Sequence, residues 1–158
     1  MGQPPHPPQA PRRASDTNES VTLARVIHAP AQRVFEAWID ASQLQRWLAP
    51  IAQADARVDG RFRLEVQAAD GSHIVKGKYR ELVRGRRIAM SWVYEGPMIP
   101  IGKEATTVRV ELQSHGADTE VRVHHEGLKN PTYRDTIRQG AWAEALKQLD
   151  SLLSGRPA

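Results

Sequence analysis

The middle of the chain alternates apolar and polar residues, and this pattern predicts β-strands. Residues 21–28 place Val21, Leu23 and Ile27 on one parity, as in a strand with one buried face. Arg25 falls on the same parity and is the one charged residue in this otherwise apolar set. Five further segments alternate in the same way, at 56–67, 73–82, 87–95, 106–114 and 119–127. Together they predict an antiparallel meander of about six or seven strands, counting the first.

Turn residues between these segments support the strand assignment. Asp59-Gly60 predicts a turn or bulge within the first of the five, and Asp70-Gly71-Ser72 predicts a hairpin turn after it. Gly77 lies inside the next strand, where a missing side chain indicates a bend or the close approach of another backbone. The basic run at 84–87 indicates a turn with solvated charges.

Two short helices are predicted directly after the first strand. In residues 31–39 and 41–49, apolar side chains that include Trp38 and Trp47 recur at helical spacing. Asp40, between the two segments, is a candidate N-cap of the second. We expect both tryptophans to pack against the sheet as part of the core.

A long amphipathic helix is predicted from about Thr132 to Leu153, ended by Gly155. At ~1.5 Å per residue it would be about 33 Å long, enough to cross a whole sheet. Its polar face would carry Lys147 and Asp150. Its apolar stripe would consist of Ile137, Ala141, Trp142, Ala145, Leu149, Leu152 and Leu153.

The opening of the chain has a different composition. Residues 1–20 are polar and rich in proline, and such a segment cannot bury enough apolar area to order itself. We therefore predict a disordered tail at 1–20 and a single α+β domain at 21–155.

Composition and charge narrow the possible functions. The chain has 158 residues, a net charge of +4 and no cysteine, which excludes disulfides, thiol nucleophiles and thiolate metal sites. No apolar run is long enough to cross a bilayer, and no signal-peptide stretch opens the chain. We expect a cytoplasmic protein without stable membrane association. Basic residues are interspersed with acids, which argues against nucleic-acid binding.

The order of predicted elements, with several motifs, resembles the helix-grip fold of the START-like (SRPBCC, Bet v 1-like) superfamily. The resemblance is closest to the family named for the activator of the ninety-kilodalton heat-shock chaperone's ATPase. It extends from about Val21 to Leu153. The motifs that carry it are "RVIHAPAQRVFEAWIDASQLQRWLAP", "DARVDGRFRLEV", "GKYRELVRGRRIAMSW", "TEVRVHHEGL" and "GAWAEALKQL".

Three positions depart from the pattern of that family. It usually has paired tryptophans where this chain has Trp47-Leu48, and paired glycines where this chain has Asp59-Gly60. It usually places glycine directly before the last tryptophan, whereas Ala141 here separates Gly140 from Trp142. The resemblance implies a curved sheet that grips the long helix, with a cavity between them. Members bind lipids, sterols, polyketides or other apolar molecules there, and some cyclise or dehydrate polyketides.

The adjacent histidines His124 and His125 invite a metal or catalytic interpretation, and strand geometry argues against a metal ion shared by the pair. Neighbouring residues of a strand point to opposite faces, so His125 is expected to face inward with Val121 and Val123, and His124 outward. The pair cannot chelate one metal ion, and we predict no metal or cofactor. His125 is interpreted as a hydrogen-bonded structural residue, with a ligand contact or a catalytic base as alternatives.

The closing helix suggests where a ligand could bind. In a continuous helix Arg134, Arg138, Ala141 and Ala145 lie along one band, and the two alanines would leave space opposite the sheet. We predict an apolar pocket with a cationic rim, suited to an amphipathic acid, unless aromatic residues of the sheet fill it. The candidate ligand-binding residues are Phe62, Tyr79, Trp92, Tyr94, His125, Arg134, Arg138, Ala141, Trp142 and Ala145.

The segment 95–104 is predicted to be a loop of unusually apolar character. Met98, Ile99 and Ile101 would cover the cavity entrance or form a contact surface. The N-terminal half of the long helix is the expected neighbour of this lid.

Three functions are compatible with the sequence. The first is non-catalytic binding or carriage of a small apolar or amphipathic molecule in the cavity. The second is a cyclase- or dehydratase-like enzyme, in which His125, Tyr79 or Arg25 would serve as acid or base. The third is a protein-binding regulator of a chaperone ATPase, as the family name suggests. A homodimer formed through an exposed sheet edge is also compatible with the sequence.

Overall fold

The computed structural model describes residues 19–155, apart from the side chains of residues 100–102. The predicted tail therefore lies outside the described residues except for its last two positions. The helices and strands in chain order are β1 (Ser20–Ile27), α1 (Ala31–Ile39), α2 (Ala41–Trp47), β2 (Ile51–Ala54), β3 (Arg61–Ala68), β4 (Gly71–Val83), β5 (Arg87–Gly96), β6 (Ile99–His115), β7 (Asp118–Glu126), α3 (Pro131–Thr136) and α4 (Trp142–Ser154). A π-helical turn, Ile137–Ala141, joins α3 to α4.

One antiparallel sheet contains the seven strands of the described chain, in the order β1-β7-β6-β5-β4-β3-β2. The two short helices follow β1, and the C-terminal helical segment packs on the sheet. The predicted α+β helix-grip architecture is confirmed. Because every connection from β2 to β7 is a hairpin, the meander follows the chain order, and only β1 returns to pair with the last strand.

Alternation along the strands decides which side chains reach the core. On β5 the inward residues are Ile88, Met90, Trp92 and Tyr94, all buried. Gly77 on β4 confirms the predicted close approach, because a Cβ at that position would lie 1.8 Å from the carbonyl oxygen of Ser91.

Local turn and cap signals are confirmed in part. The Asp40 side chain accepts a hydrogen bond from the Ser42 amide and caps α2, and Asp59 adopts a positive φ of 66° in the predicted turn. One predicted strand began too early, and another strand was missed. Val58 lies in this turn and is 52% exposed, whereas β2 at Ile51–Ala54 was not predicted, since so short a strand does not show a period of two.

The predicted apolar loop is instead the tip of the β5–β6 hairpin. β5 continues to Gly96 and β6 begins at Ile99, so only two residues turn the chain. Ile99 is buried and Met98 is half-buried, while the side chain of Ile101 lies outside the described part. The Met98 sulfur accepts a hydrogen bond of 3.3 Å from the Thr136 hydroxyl on α3. The predicted contact of this segment with the N-terminal half of the long helix was therefore correct, whereas the predicted loop conformation was wrong.

The long helical segment is not a continuous α-helix. Gly140 has φ 136° and ψ 9°, outside helical values, and the π-helical turn around it holds the extra residue Ala141 that separates Gly140 from Trp142. This break shifts the phase of α4 relative to the preceding helix. As a consequence Ala141 is exposed and Ala145 only half-buried, and the face against the sheet is formed by Trp142, Leu146, Leu149, Asp150 and Leu153.

Asp150 was expected on the polar face, and it is buried. Its carboxylate accepts hydrogen bonds from the His28 amide (2.9 Å) and the His28 ring Nδ1 (3.1 Å), and Arg25 approaches at 3.4 Å. Burial opposes ionisation of Asp150, but the hydrogen bonds from His28 and Arg25 outweigh it and hold the pKa of this carboxyl below its usual value. Asp150 thus fixes α4 to the end of β1. Its contact with Arg25 explains why this charged residue shares the parity of the inward-facing apolar residues of β1.

Replacing Gly140 with alanine tests the helix break. A residue with a Cβ is strained at φ 136°, so G140A should lower the free energy of unfolding by about 1–3 kcal/mol in urea titration. The exposed neighbour Gln139 supplies the control, Q139A, which should be close to neutral. A gain in stability for G140A would contradict the break, because alanine stabilises a continuous helix relative to glycine.

Removing the Asp150 carboxylate tests the attachment of α4 to β1. D150A leaves the His28 amide and the Arg25 guanidinium without their acceptor, so it should cost about 1–3 kcal/mol of unfolding free energy at neutral pH. Glu144 is an exposed acid on the same helix, and E144A should change stability far less. Equal effects of the two variants would remove the argument for a specific role of Asp150.

Candidate functional site

Aromatic rings from several strands and helices meet between the sheet and the helical layer. Trp92 lies at the centre, with its ring 5.2 Å from that of Trp142 on α4 and 5.9 Å from that of Phe62 on β3. Tyr94 stacks on Tyr133 of α3 at 4.5 Å. The rings of Phe62 and Trp92, named above as candidate ligand contacts, thus pack against each other in the core. The space in which a cavity was expected is occupied by aromatic side chains.

His125 lies inside this cluster and is fully buried. Its Nδ1 accepts a hydrogen bond from the Trp142 indole (3.0 Å), so the neutral ring carries its proton on Nε2 and donates it to the Thr106 hydroxyl (2.8 Å). Thr106 donates in turn to the Trp92 carbonyl (2.7 Å). Burial, with a smaller contribution from His124, lowers the pKa of His125 to about 3. Both ring nitrogens are therefore occupied in a structural network, and the ring stays uncharged at neutral pH.

The three buried tyrosines of the cluster are also engaged in hydrogen bonds. The Tyr79 hydroxyl donates to the Trp38 carbonyl (2.9 Å), and the Tyr133 hydroxyl accepts from the Trp92 indole (2.8 Å). Burial raises the pKa of Tyr79 and of Tyr133, so both remain protonated. The Tyr94 hydroxyl contacts the ring Nδ1 of His73 at 2.7 Å. None of these hydroxyls is placed to act as a base.

Among the four tryptophans, Trp38 differs from the others in the hydrogen bonding of its indole N–H. The indoles of Trp47, Trp92 and Trp142 donate to the Ala37 carbonyl, Tyr133 and His125 respectively. The Trp38 indole N–H has no acceptor, although the side chain is 1% exposed. Its ring lies 4.8 Å from that of Trp47 and 5.6 Å from that of Trp142. A hydrogen-bond donor is therefore left unpaired inside the aromatic cluster.

The proposed cationic rim is only partly assembled. Arg134 is half-buried on α3, where its Nη1 donates to the Leu128 carbonyl (3.0 Å) and its buried Nε has no partner. Arg138 is exposed, and the break at Gly140 separates both arginines from Ala145, with which they were predicted to share a band. With Ala141 also exposed, the two alanines do not form the floor of a pocket opposite the sheet.

Metal and membrane sites can be assessed from the described residues. Within residues 19–155 no three His, Asp or Glu side chains are grouped so as to hold a metal ion. No helix in that range is both long and apolar enough to cross a bilayer.

Comparison with known proteins identifies the family. Residues 28–154 match the sequence profile described as "Activator of Hsp90 ATPase homolog 1-like protein". The chain belongs to this family. A comparison with curated proteins gave no significant match.

Solved structures with the same fold include other proteins of similar length. Protein CV1439 from Chromobacterium violaceum is 28% identical, with a TM-score of 0.70 over 85% of this chain and 97% of its own. An uncharacterised protein from Rhizobium leguminosarum is 20% identical, with a TM-score of 0.75 over 87% and 95% of the two chains. PFC0360w, described as an HSP90 activator from Plasmodium falciparum, is 21% identical, with a TM-score of 0.67 over 89% and 99%.

Sequence reasoning missed three participants in the site of this family member. Tyr133 was omitted from the apolar stripe, although its spacing of four from Ile137 was a usable helical signal. Thr106 carried no signal, because its hydrogen bond to His125 depends on the β6–β7 register, in which Val108 faces His125 and Thr106 is a diagonal neighbour. Trp38 was interpreted as ordinary core, and its unpaired N–H could be found only from the packed structure.

The pH dependence of stability tests the structural role of His125. The unfolded chain takes up a proton on this residue below about pH 6.5, whereas the folded protein does not until about pH 3. Protonation therefore favours unfolding, and His125 should make stability fall by about 1.4 kcal/mol per pH unit as the pH drops through this window. Urea titrations from neutral pH to about pH 5 avoid most carboxyl titration.

The matched variants for this measurement are H125Q and H115Q. Replacing His125 with glutamine should flatten the pH dependence, whereas the exposed turn residue His115 should leave the slope of the parent protein unchanged. Parallel slopes for the parent and H125Q would show that folding does not lower the pKa of His125.

Proposed function

We propose that this domain binds a small amphipathic molecule between its sheet and its C-terminal helical segment, without catalysing a reaction on it. The observation that carries the proposal is the Trp38 indole N–H, which is buried without an acceptor. Roughly nine in ten or more buried polar groups in proteins are hydrogen-bonded, and an unpaired one costs about 1–3 kcal/mol. An acceptor on a bound molecule would remove this cost.

A second buried donor indicates the chemistry of the ligand. The Arg134 Nε also lacks an acceptor, and it belongs to a side chain that carries a permanent positive charge. An apolar, preferably aromatic body suits the rings around Trp38, Trp92 and Trp142, and an acidic or carbonyl group suits the two free donors. Aromatic and fatty carboxylic acids combine these features.

Binding requires the inner rings to rearrange, and the fold has elements that permit this. The helical backbone is already interrupted at Gly140, so α3 can move relative to α4 without breaking further regular structure. The hairpin tip covers the same region, and the hydrogen bond between Thr136 and the Met98 sulfur is a weak one. Outward movement of α3 and of the hairpin tip together would uncover Tyr133, Tyr94 and Trp92.

The absence of catalysis is supported by the state of the groups considered as acid or base. His125 has both nitrogens bonded, Tyr79 donates to the Trp38 carbonyl, and Arg25 contacts Asp150 at the end of β1. A general base needs a free lone pair within reach of a substrate proton. None of these three side chains supplies one, so carriage or sensing is favoured over a cyclase or dehydratase activity.

The first experiment is native mass spectrometry of the protein purified from its own host, with decanoate and 1-naphthoate then tested for thermal stabilisation. We expect a co-purifying small molecule, or stabilisation by at least one of the two acids. An empty protein that neither acid stabilises would contradict the proposal.

Two tryptophan variants locate the site. W38F removes the unpaired donor and should weaken ligand binding about tenfold, whereas W47F leaves that donor in place. W47F also loses the bond to the Ala37 carbonyl, so it should be less stable than W38F by about 1 kcal/mol. If W38F binds the ligand as tightly as the parent protein, the indole N–H of Trp38 is not a ligand contact.

A further inference from the structure

The outer face of the sheet carries a concentration of positive charge over β3, β4, β5 and β6. An open groove of about 330 Å³ lies there, with Gly77, Ser91 and Val93 among its lining residues. One acid, Glu95, lines it as well. The cations that line it are Arg61, Lys76, Lys78, Arg80 and Lys103. We call this surface the basic groove.

Pairing across strands makes this concentration unfavourable for the fold itself. Arg61 is the direct partner of Lys78 in the β3–β4 register, and Arg63 is the partner of Lys76. Like charges directly opposite each other on antiparallel strands destabilise a sheet. Elsewhere on the same outer face the chain uses the opposite arrangement, with Glu111 between Arg87 and Arg122.

Nearby acids neutralise only some of these cations. Arg63 is paired with Glu65 (2.9 Å), Lys76 with Glu95 (3.4 Å) and Arg80 with Asp59 (3.2 Å). Arg61, Lys78 and Lys103 form no ion pair with any residue in the part of the chain that the structure describes. Three cations without an ion-pair partner among the described residues thus line one groove, and two of them, Arg61 and Lys78, face each other across the strands.

We propose that the basic groove binds an acidic segment of a partner polypeptide. Charge complementarity supplies the main argument, because the three unpaired cations match carboxylates spaced along an extended chain. The groove also presents the apolar side chain of Val93. A groove that combines an apolar side chain with surrounding cations suits a peptide in which acidic residues flank an apolar anchor. It suits a nucleic-acid backbone or a flat membrane surface less well.

Binding can be measured by fluorescence anisotropy with a short fluorescein-labelled peptide of glutamate and aspartate around a central phenylalanine. The parent protein should bind it at low salt and lose affinity as salt is added, because the groove is exposed to solvent. K78E should weaken binding about tenfold or more. The same variant should raise the melting temperature, because the new carboxylate would face Arg61 across the strands as an opposite charge.

The control variant is R122E, which makes the same change of charge on the outer face of β7. Arg122 lines no part of the basic groove, so R122E should bind the peptide like the parent protein. No binding by the parent protein, or equal losses for K78E and R122E, would overturn the proposal. Tighter binding of a duplex DNA fragment, or of phosphatidylserine vesicles, than of the peptide would also overturn it in favour of that other partner.

Discussion

The hydrogen bond from the Trp142 indole to Nδ1 of His125 joins the C-terminal helix to the centre of the sheet. It sets the tautomer of His125, which makes Nε2 the donor to Thr106, and Thr106 then reaches the Trp92 carbonyl on the neighbouring strand. These bonds are buried, and in such a place an unmade bond would cost more than a made one contributes. The position of α4, and with it the Asp150 contact at the end of β1, depends on this network.

The interior shows how a fold associated with ligand cavities can be closed by its own side chains. Aromatic rings occupy the space between sheet and helix. Their polar groups are hydrogen-bonded within the protein except for the Trp38 indole N–H, and Arg134 on α3 leaves a second donor unpaired. A fully self-sufficient core would not leave two donors unpaired. The break at Gly140 is consistent with the same interpretation, because π-helical turns often occur at functional sites in proteins.

The two faces of the sheet have opposite character, and each departs from what stability alone favours. The helices over the inner face carry two unpaired donors, at Trp38 and Arg134, while the outer face sets Arg61 against Lys78 without a compensating acid. Local conflicts of this kind are expected where a surface serves binding. A small molecule inside and an acidic polypeptide outside would use separate surfaces of one domain, so the two sites can be tested independently.

The sequence by itself determined the architecture, since a period of two or of three to four residues fixes which side chains share a face. It placed His125 inward and indicated a bend or a close backbone approach at Gly77. The sequence could not predict which face of the last helix is buried. The π-helical turn at Ala141 rotates every later residue about the helix axis, so Asp150 is buried in place of the expected alanines. Whether a cavity is open or filled was also decided only in the tertiary structure. Rings from separate elements meet there, and no pattern along the chain records how they pack around Trp38.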